Sequence, residues 1–336
     1  MGVAFAYFSI YSYHIYKNKE NSRLMQILSY IYAYWAIMNL KDIVLTFPGC
    51  YTDKYLEALF VADGWSAITF TIFIFELTQQ GWATMRKVIL LSIPFLVFTV
   101  LYITLPWRFV FITYATFLVF YGLSIVSIGF IRVRKYTDYI HDNFSDIDDI
   151  DLSWFTEIVI LFVILLLLWI STSANASHIT DAIYYLSSIV LWEMARIRCK
   201  KLRPILLQDS ESNSEDKTTA TYDNKSYHFA DSMENIIVEN ELYLNKELEL
   251  SDIVALANTN RTYMSTYFRE VMHTTFYDYI NKLRIEKKSV PLMKEHPDYT
   301  LEYIASASGF NSVSTFRRSF RKLYGMSPKD YRKSDK

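Results

Sequence analysis

At 336 residues the chain has room for two domains, and its formal net charge of −1 averages regions of unlike sign. Most apolar residues lie before residue 200, acidic residues dominate between about 209 and 249, and Lys and Arg crowd after 195 and again after 260. Two cysteines, Cys50 and Cys199, exclude a disulfide framework and a cysteine-built zinc site.

In chain order, the first 200 residues read as membrane-spanning helices, each needing about 20 apolar residues. The spans fall at 2–16, 24–46, 55–78, 87–105, 108–131, 153–174 and 178–197. The first is short enough to lie in the interface instead. Pro94 inside the fourth is a kink that neighbouring helices can satisfy. Met1-Gly2-Val3 offers no basic n-region, so no cleavable signal peptide is expected.

Basic residues set the orientation. Lys17, Lys19 and Arg23, then Arg86 and Lys87, then Arg132, Arg134 and Lys135, then Arg196 to Arg203 flank alternate span ends. The other connections hold only Lys54 and Arg108. The N-terminus is therefore expected outside and the C-terminus in the cytoplasm of a bacterium, whether six or seven spans cross. Lys41, Asp42, Asp63, His178 and Asp181 fall at one depth toward the outer face, as a candidate ligand pocket walled by Trp65 and Tyr184. Structural pairing within the bundle is the competing account of those residues. Glu76, Glu157 and Glu193 lie near the other face and are expected to answer the basic loops.

Residues 204–229, containing QDSESNSEDKTTATYDNKS, are too polar to fold alone and read as a flexible acidic linker between a bundle of 1–203 and a domain of 230–336. In that domain, 231–244 has helical spacing, with Asp231 or Ser232 as the expected cap. ELSDIVALAN follows, with Ser251 as cap, Ile253, Leu256 and Ala257 inward, and Asn258 suited to a left-handed turn. The helix 260–272 carries Met264, Tyr267, Phe268 and Val271 on one face and Arg261, Thr262, Ser265, Thr266 and Arg269 on the other. Two short helices about a tight turn are the helix-turn-helix pattern. It recurs 52 residues on, where Leu301, Ile304 and Ala305 point inward, Gly309 turns, Phe316 and Phe320 are buried, and Ser314, Arg317, Arg318, Arg321 and Lys322 face out. Residues 276–297 between them read as a helical strut that Pro291 kinks or restarts.

IASASGFNSVSTFRRSFRKLYGMSPKDYR resembles the C-terminal signature of AraC/XylS-type transcription regulators. The likeness rests on Ile304, Ala305, Gly309, Phe310, Phe316, Arg318, Phe320, Gly325, Ser327, Pro328, Tyr331 and Arg332, and extends over roughly 231–333. His273 stands where the family expects glycine, and Asn258 replaces a frequent glycine. The resemblance implies that the exposed helix faces enter the major groove, with Thr262, Ser265, Thr266, Ser314, Arg317 and Arg318 toward bases. Arg269, Arg321, Lys322 and Arg332 would then meet phosphates.

The whole chain is thus expected to be all-α: a transmembrane bundle followed by a soluble domain with two helix-turn-helix units on a linker helix. The expected function is membrane-integral transcription regulation. The expected partners are double-stranded DNA, the bilayer, a small-molecule or envelope signal and a second copy of the chain. No cofactor, metal or catalytic residue is expected, since no nucleotide loop, metal motif or nucleophile constellation occurs. A bundle that is only an anchor, or a transporter-like bundle with a regulatory tail, are the rival readings.

Overall fold

The computed structural model describes residues 1–17, 22–43, 53–105, 108–174, 178–202 and 227–334. The expected linker therefore lies outside the described residues except at Tyr227–Phe229, as does Cys50. The described residues are helical, with no strand and one isolated bridge between Phe144 and Glu249. The chain divides into two compact units. One comprises Met1–Arg134 with Leu152–Ser210, and the other Lys135–Asp151 with Glu211–Lys336.

Helices α1 (Gly2–Lys17), α2 (Arg23–Lys41), α3 (Asp53–Gly64), α4 (Ser66–Thr78), α5 (Met85–Thr104), α6 (Arg108–Asn143), α7 (Phe155–Ala174) and α8 (His178–Lys201) fall at the expected spans, the third divided between α3 and α4 and the fifth lengthened in α6. Ser22 and Thr84 cap α2 and α5 by accepting from Met25 and Lys87 amides. The expected third span is interrupted at Trp65, beside Gly64. A Cβ on Gly64 would meet the Tyr114 hydroxyl at 2.1 Å, so only glycine admits that ring.

By length and composition, Tyr55–Thr78, Met85–Thr104 and Arg108–Asn143 are long and apolar enough to cross a membrane, with Phe155–Ser171 a shorter apolar helix. That is fewer than the seven spans expected. The shortfall has a physical source: α1 is short, and α2 and α8 carry charged or polar residues. Along α5 only Phe95 is buried, while Ile89, Leu90, Leu96, Val97 and Ile103 face outward. So broad an exposed apolar surface is unusual for a protein surrounded by water.

α6 continues twelve residues beyond its expected end at 131, because no breaker intervenes and Tyr136 and Ile140, four apart, are both buried. The part beyond Arg134 belongs to the second unit.

The second unit adds α9 (Ala230–Glu239), α10 (Leu250–Leu256), α11 (Arg261–Glu270), α12 (Phe276–Leu283), α13 (Val290–Glu295), α14 (Leu301–Ala307), α15 (Val313–Tyr324) and α16 (Pro328–Ser334). Two adjoining cores hold it. Met233, Ile237, Ile253, Met264, Phe268 and Phe276 form one. Ile285, Met293, Ile304, Phe310, Phe316 and Phe320 form the other. A fully buried Phe is worth about 1.5–3 kcal/mol, so Phe316 and Phe320 are principal anchors of α15.

Several local expectations are corrected. α9 begins after Phe229 rather than at an Asp231 or Ser232 cap, and ends at Glu239 because Glu241 turns left-handed. Glu249, not Ser251, caps α10, in a reciprocal capping box with Asp252. Leu256 and Val271 are exposed rather than inward, since each lies at a helix end beyond the packed stripe. Between α12 and α13 the strut widens into a π-helical stretch, Arg284–Ser289, so that Pro291 falls in the first turn of α13. There its missing N–H costs no hydrogen bond.

Candidate nucleic-acid interface

In the second unit α10–α11 and α14–α15 form two helix-turn-helix pairs. The turns depend on left-handed residues: Asn258 at φ 48°, and Gly309 at φ 86°. A Cβ at Gly309 would approach the Leu244 carbonyl oxygen at 2.8 Å, so glycine is required twice over. Asn260 and Ser312 cap α11 and α15, accepting from the Tyr263 and Thr315 amides at 2.7 and 3.1 Å. Their burial of Met264 with Phe268 and of Phe316 with Phe320 turns the polar faces outward.

On those faces Thr262, Arg269, Ser314, Arg317, Arg318, Arg321 and Lys322 are exposed, and Arg261, Ser265 and Thr266 are half-buried. Arg317 lies 3.6 Å from Glu302, an exposed pair of little strength. Lys322 holds Asp278 at 2.8 Å. Arg332 is directed elsewhere: it donates to the Tyr299 carbonyl at 2.9 Å and braces the end of the fold. Arg269, His273, Lys282 and Lys322 line a groove of about 660 Å³ between the two helix-turn-helix pairs.

The sequence reading missed a set of acidic contacts on the same faces. The Arg269 guanidinium grips Asp142 with one hydrogen bond, Nε to Oδ1 at 2.9 Å, and an ion pair, Nη2 to Oδ2 at 2.6 Å. Ser265 Oγ donates to Asp142 at 3.2 Å, and Arg261 donates to the Tyr139 hydroxyl at 3.2 Å. On the second pair, Ser312 and Thr315 donate to Asp148, which lies 3.5 Å from Arg318, and the Asn311 amide donates to Asp146. Between these points buried Arg284 donates to the Ser145 carbonyl at 3.1 Å and to its hydroxyl at 3.0 Å. The signal available in the sequence was the run DYIHDNFSDIDDID, acidic where the helix faces are basic.

In the first unit, three of the five candidate pocket residues come together. Lys41 bridges Asp42 and Asp63, the latter at 2.7 Å, and Tyr185 donates to Asp42 at 3.0 Å. The His178 side chain lies outside the described residues, and Asp181 is half-buried. A 70 Å³ cavity beside Asp63 is lined by Trp35, Trp169 and Tyr184 but not by Trp65, which donates to Thr99 instead. Glu76, Glu157 and Glu193 pair with Arg23, Arg198 and Arg196, as expected. Among the described residues no group of three or more His, Cys, Asp or Glu could hold a metal ion.

Comparison with known proteins agrees with the geometry. A helix-turn-helix domain family, of AraC type, matches residues 253–334. The melibiose operon regulatory protein of Escherichia coli (strain K12) is 33% identical over 121 residues, covering 35% of this chain and 38% of that protein. An uncharacterized HTH-type transcriptional regulator of Staphylococcus aureus (strain COL) is 30% identical over 92 residues, 27% of this chain and 12% of the relative. The chain thus spans well under half the length of these curated relatives. No solved structure matches it. Residues 253–334 are a helix-turn-helix domain like those of transcription regulators.

Proposed function

We propose that this chain is a membrane-integral, one-component transcription regulator. Its two helix-turn-helix pairs bind double-stranded DNA, and its first unit, embedded in the cytoplasmic membrane of a bacterium, answers an external or membrane-borne signal. The observation that carries the reading is one compact unit with two basic, serine- and threonine-bearing helix faces, in a chain whose other helices turn bare apolar sides outward. Thr262, Ser265, Thr266, Ser314, Arg317 and Arg318 read bases, while Arg261, Arg269, Arg321 and Lys322 position the backbone. The Lys41–Asp42–Asp63 cluster, with Asp181 and His178, is where the signal enters. The active species is a homodimer, and the chain catalyses no reaction.

The test is capture of genomic fragments by the detergent-solubilised full chain at two salt concentrations, beside an Arg317→Ala/Arg318→Ala double variant. A bidentate arginine–guanine contact is worth about 1–3 kcal/mol, so discrete fragments should be enriched and then lost by about 5- to 150-fold in the variant. Salt-sensitive capture with no preferred fragments, equal in both chains, would remove the base-reading assignment. Exchanging residues 1–203 for an unrelated anchor separates sensor from anchor: unaltered regulation across growth conditions would make the bundle an anchor only.

A further inference from the structure

We propose that the acidic segment Asp138–Asp149 is an intramolecular competitor for DNA, seated on both helix-turn-helix pairs and obliged to leave before a duplex can dock. This rests on the regulator reading above.

The segment spends its carboxylates on groups that DNA would need. Asp142 takes the Nε/Nη2 edge of Arg269 and the hydroxyl of Ser265. Asp148 lies 3.5 Å from Arg318, held there by the Ser312 and Thr315 hydroxyls, which donate to it. A phosphate oxygen and a carboxylate oxygen accept from the same donors, and they cannot do so together. Six aspartates between 138 and 151 also place negative potential where a polyanion must approach.

The contact is specific as well as electrostatic. The Ser145 amide donates to the Leu248 carbonyl at 3.1 Å, Phe144 bridges to Glu249, and Arg284 grips Ser145 between the two aspartates. One anchored centre therefore delivers Asp142 to α11 and Asp148 to α15 at once. A loosely attracted acidic loop would have no such backbone register. The segment begins in the last turns of α6 and leads on toward α7 in the chain.

The experiment measures binding of a fluorescent random-sequence duplex to the full chain in detergent. Wild type is compared with Asp142→Asn/Asp148→Asn and with Asp149→Asn, which removes one charge from a carboxylate outside these contacts. Freed donors and a relieved field should tighten binding about tenfold or more in the double variant and less than about twofold in Asp149→Asn. Equal affinity in all three overturns the inference and leaves DNA binding intact. Binding by none of them overturns the regulator reading and the inference with it.

A second measurement replaces the polar contact with a covalent one and compares the closed and open states of the same chain. Asp142→Cys/Ser265→Cys, with Cys50→Ser and buried Cys199 retained, is oxidised to close the segment onto α11. Closure should lower duplex affinity about tenfold, reversed by dithiothreitol. A bond that forms without changing affinity, or that does not form at all, counts against the seated segment.

Discussion

Arg284 illustrates how much of the second unit hangs on one side chain. It is 1% exposed and all its hydrogen bonds run to uncharged acceptors: the Tyr243, Asn245 and Ser145 carbonyls, the Asn281 amide oxygen and the Ser145 hydroxyl. Burial pushes its pKa down to about 10, which leaves it cationic at neutral pH. The planar fork suits five separated acceptors, and a lysine ammonium does not. Arg284→Met strands several buried carbonyls at about 1–3 kcal/mol each. Hydrogen exchange of the full chain should then show protection across α12 lowered by about 2–4 kcal/mol; unchanged protection would mean water replaces the guanidinium. Nothing in the sequence marks this residue, because a buried arginine and a solvated one look alike on a polar strut. His273 is the opposite case. Its departure from glycine was visible, and the backbone keeps the left-handed turn at φ 49°. A non-glycine residue pays about 1–2 kcal/mol there, offset in part by glycine's larger unfolded entropy. His273→Gly should raise the stability of α11 and α12 by up to about 1 kcal/mol in the same exchange experiment, and a loss would show that the imidazole contributes packing.

At the scale of elements, the helix-turn-helix pairs were legible because their apolar residues recur at three and four positions and their turns carry Asn258 and Gly309. The buried faces of α11 and α15 came out as read at Met264, Phe268, Phe316 and Phe320. The extension of α6 was not legible, since hydropathy falls at Arg132 while helical spacing continues through Tyr136 and Ile140. The π-helical stretch was hidden for another reason: Pro291 announces a disturbance without saying how the strut absorbs it. Here the Ser289 hydroxyl donates to the Arg284 carbonyl at 3.1 Å from a fully buried position. Ser289→Ala should therefore cost about 1–3 kcal/mol, read as faster exchange at Val290–Glu295. Pro291→Ala restores a donor the first turn of α13 does not need and should change the same protection by less than about 1 kcal/mol. If the two variants behave alike, the π-helical stretch is not held by Ser289.

For the whole molecule, three helices among the described residues are long and apolar enough to cross a membrane, and the charged side chains of the neighbouring helices are paired within the same unit. α2 and α8 carry such residues, yet Lys41 bridges two aspartates, Glu76 accepts from Arg23 and from the Gly81 and Ala83 amides, and Glu193 accepts from Arg196 and Tyr7. Paired in this way, a polar group would cost a bilayer far less than an isolated charge. The positive-inside pattern then makes a prediction about sidedness that does not depend on the number of spans. In a Cys50→Ser chain, Pro106→Cys should react with a membrane-impermeant maleimide on intact cells. Lys87→Cys and Lys333→Cys should react only after permeabilisation. Labelling of Gly2→Cys from outside would put the start of α1 on the outer face, while its protection would count against α1 as a span. Reaction of Lys333→Cys on intact cells would put the helix-turn-helix pairs on the side of the membrane without chromosomal DNA, and no regulator reading survives that result.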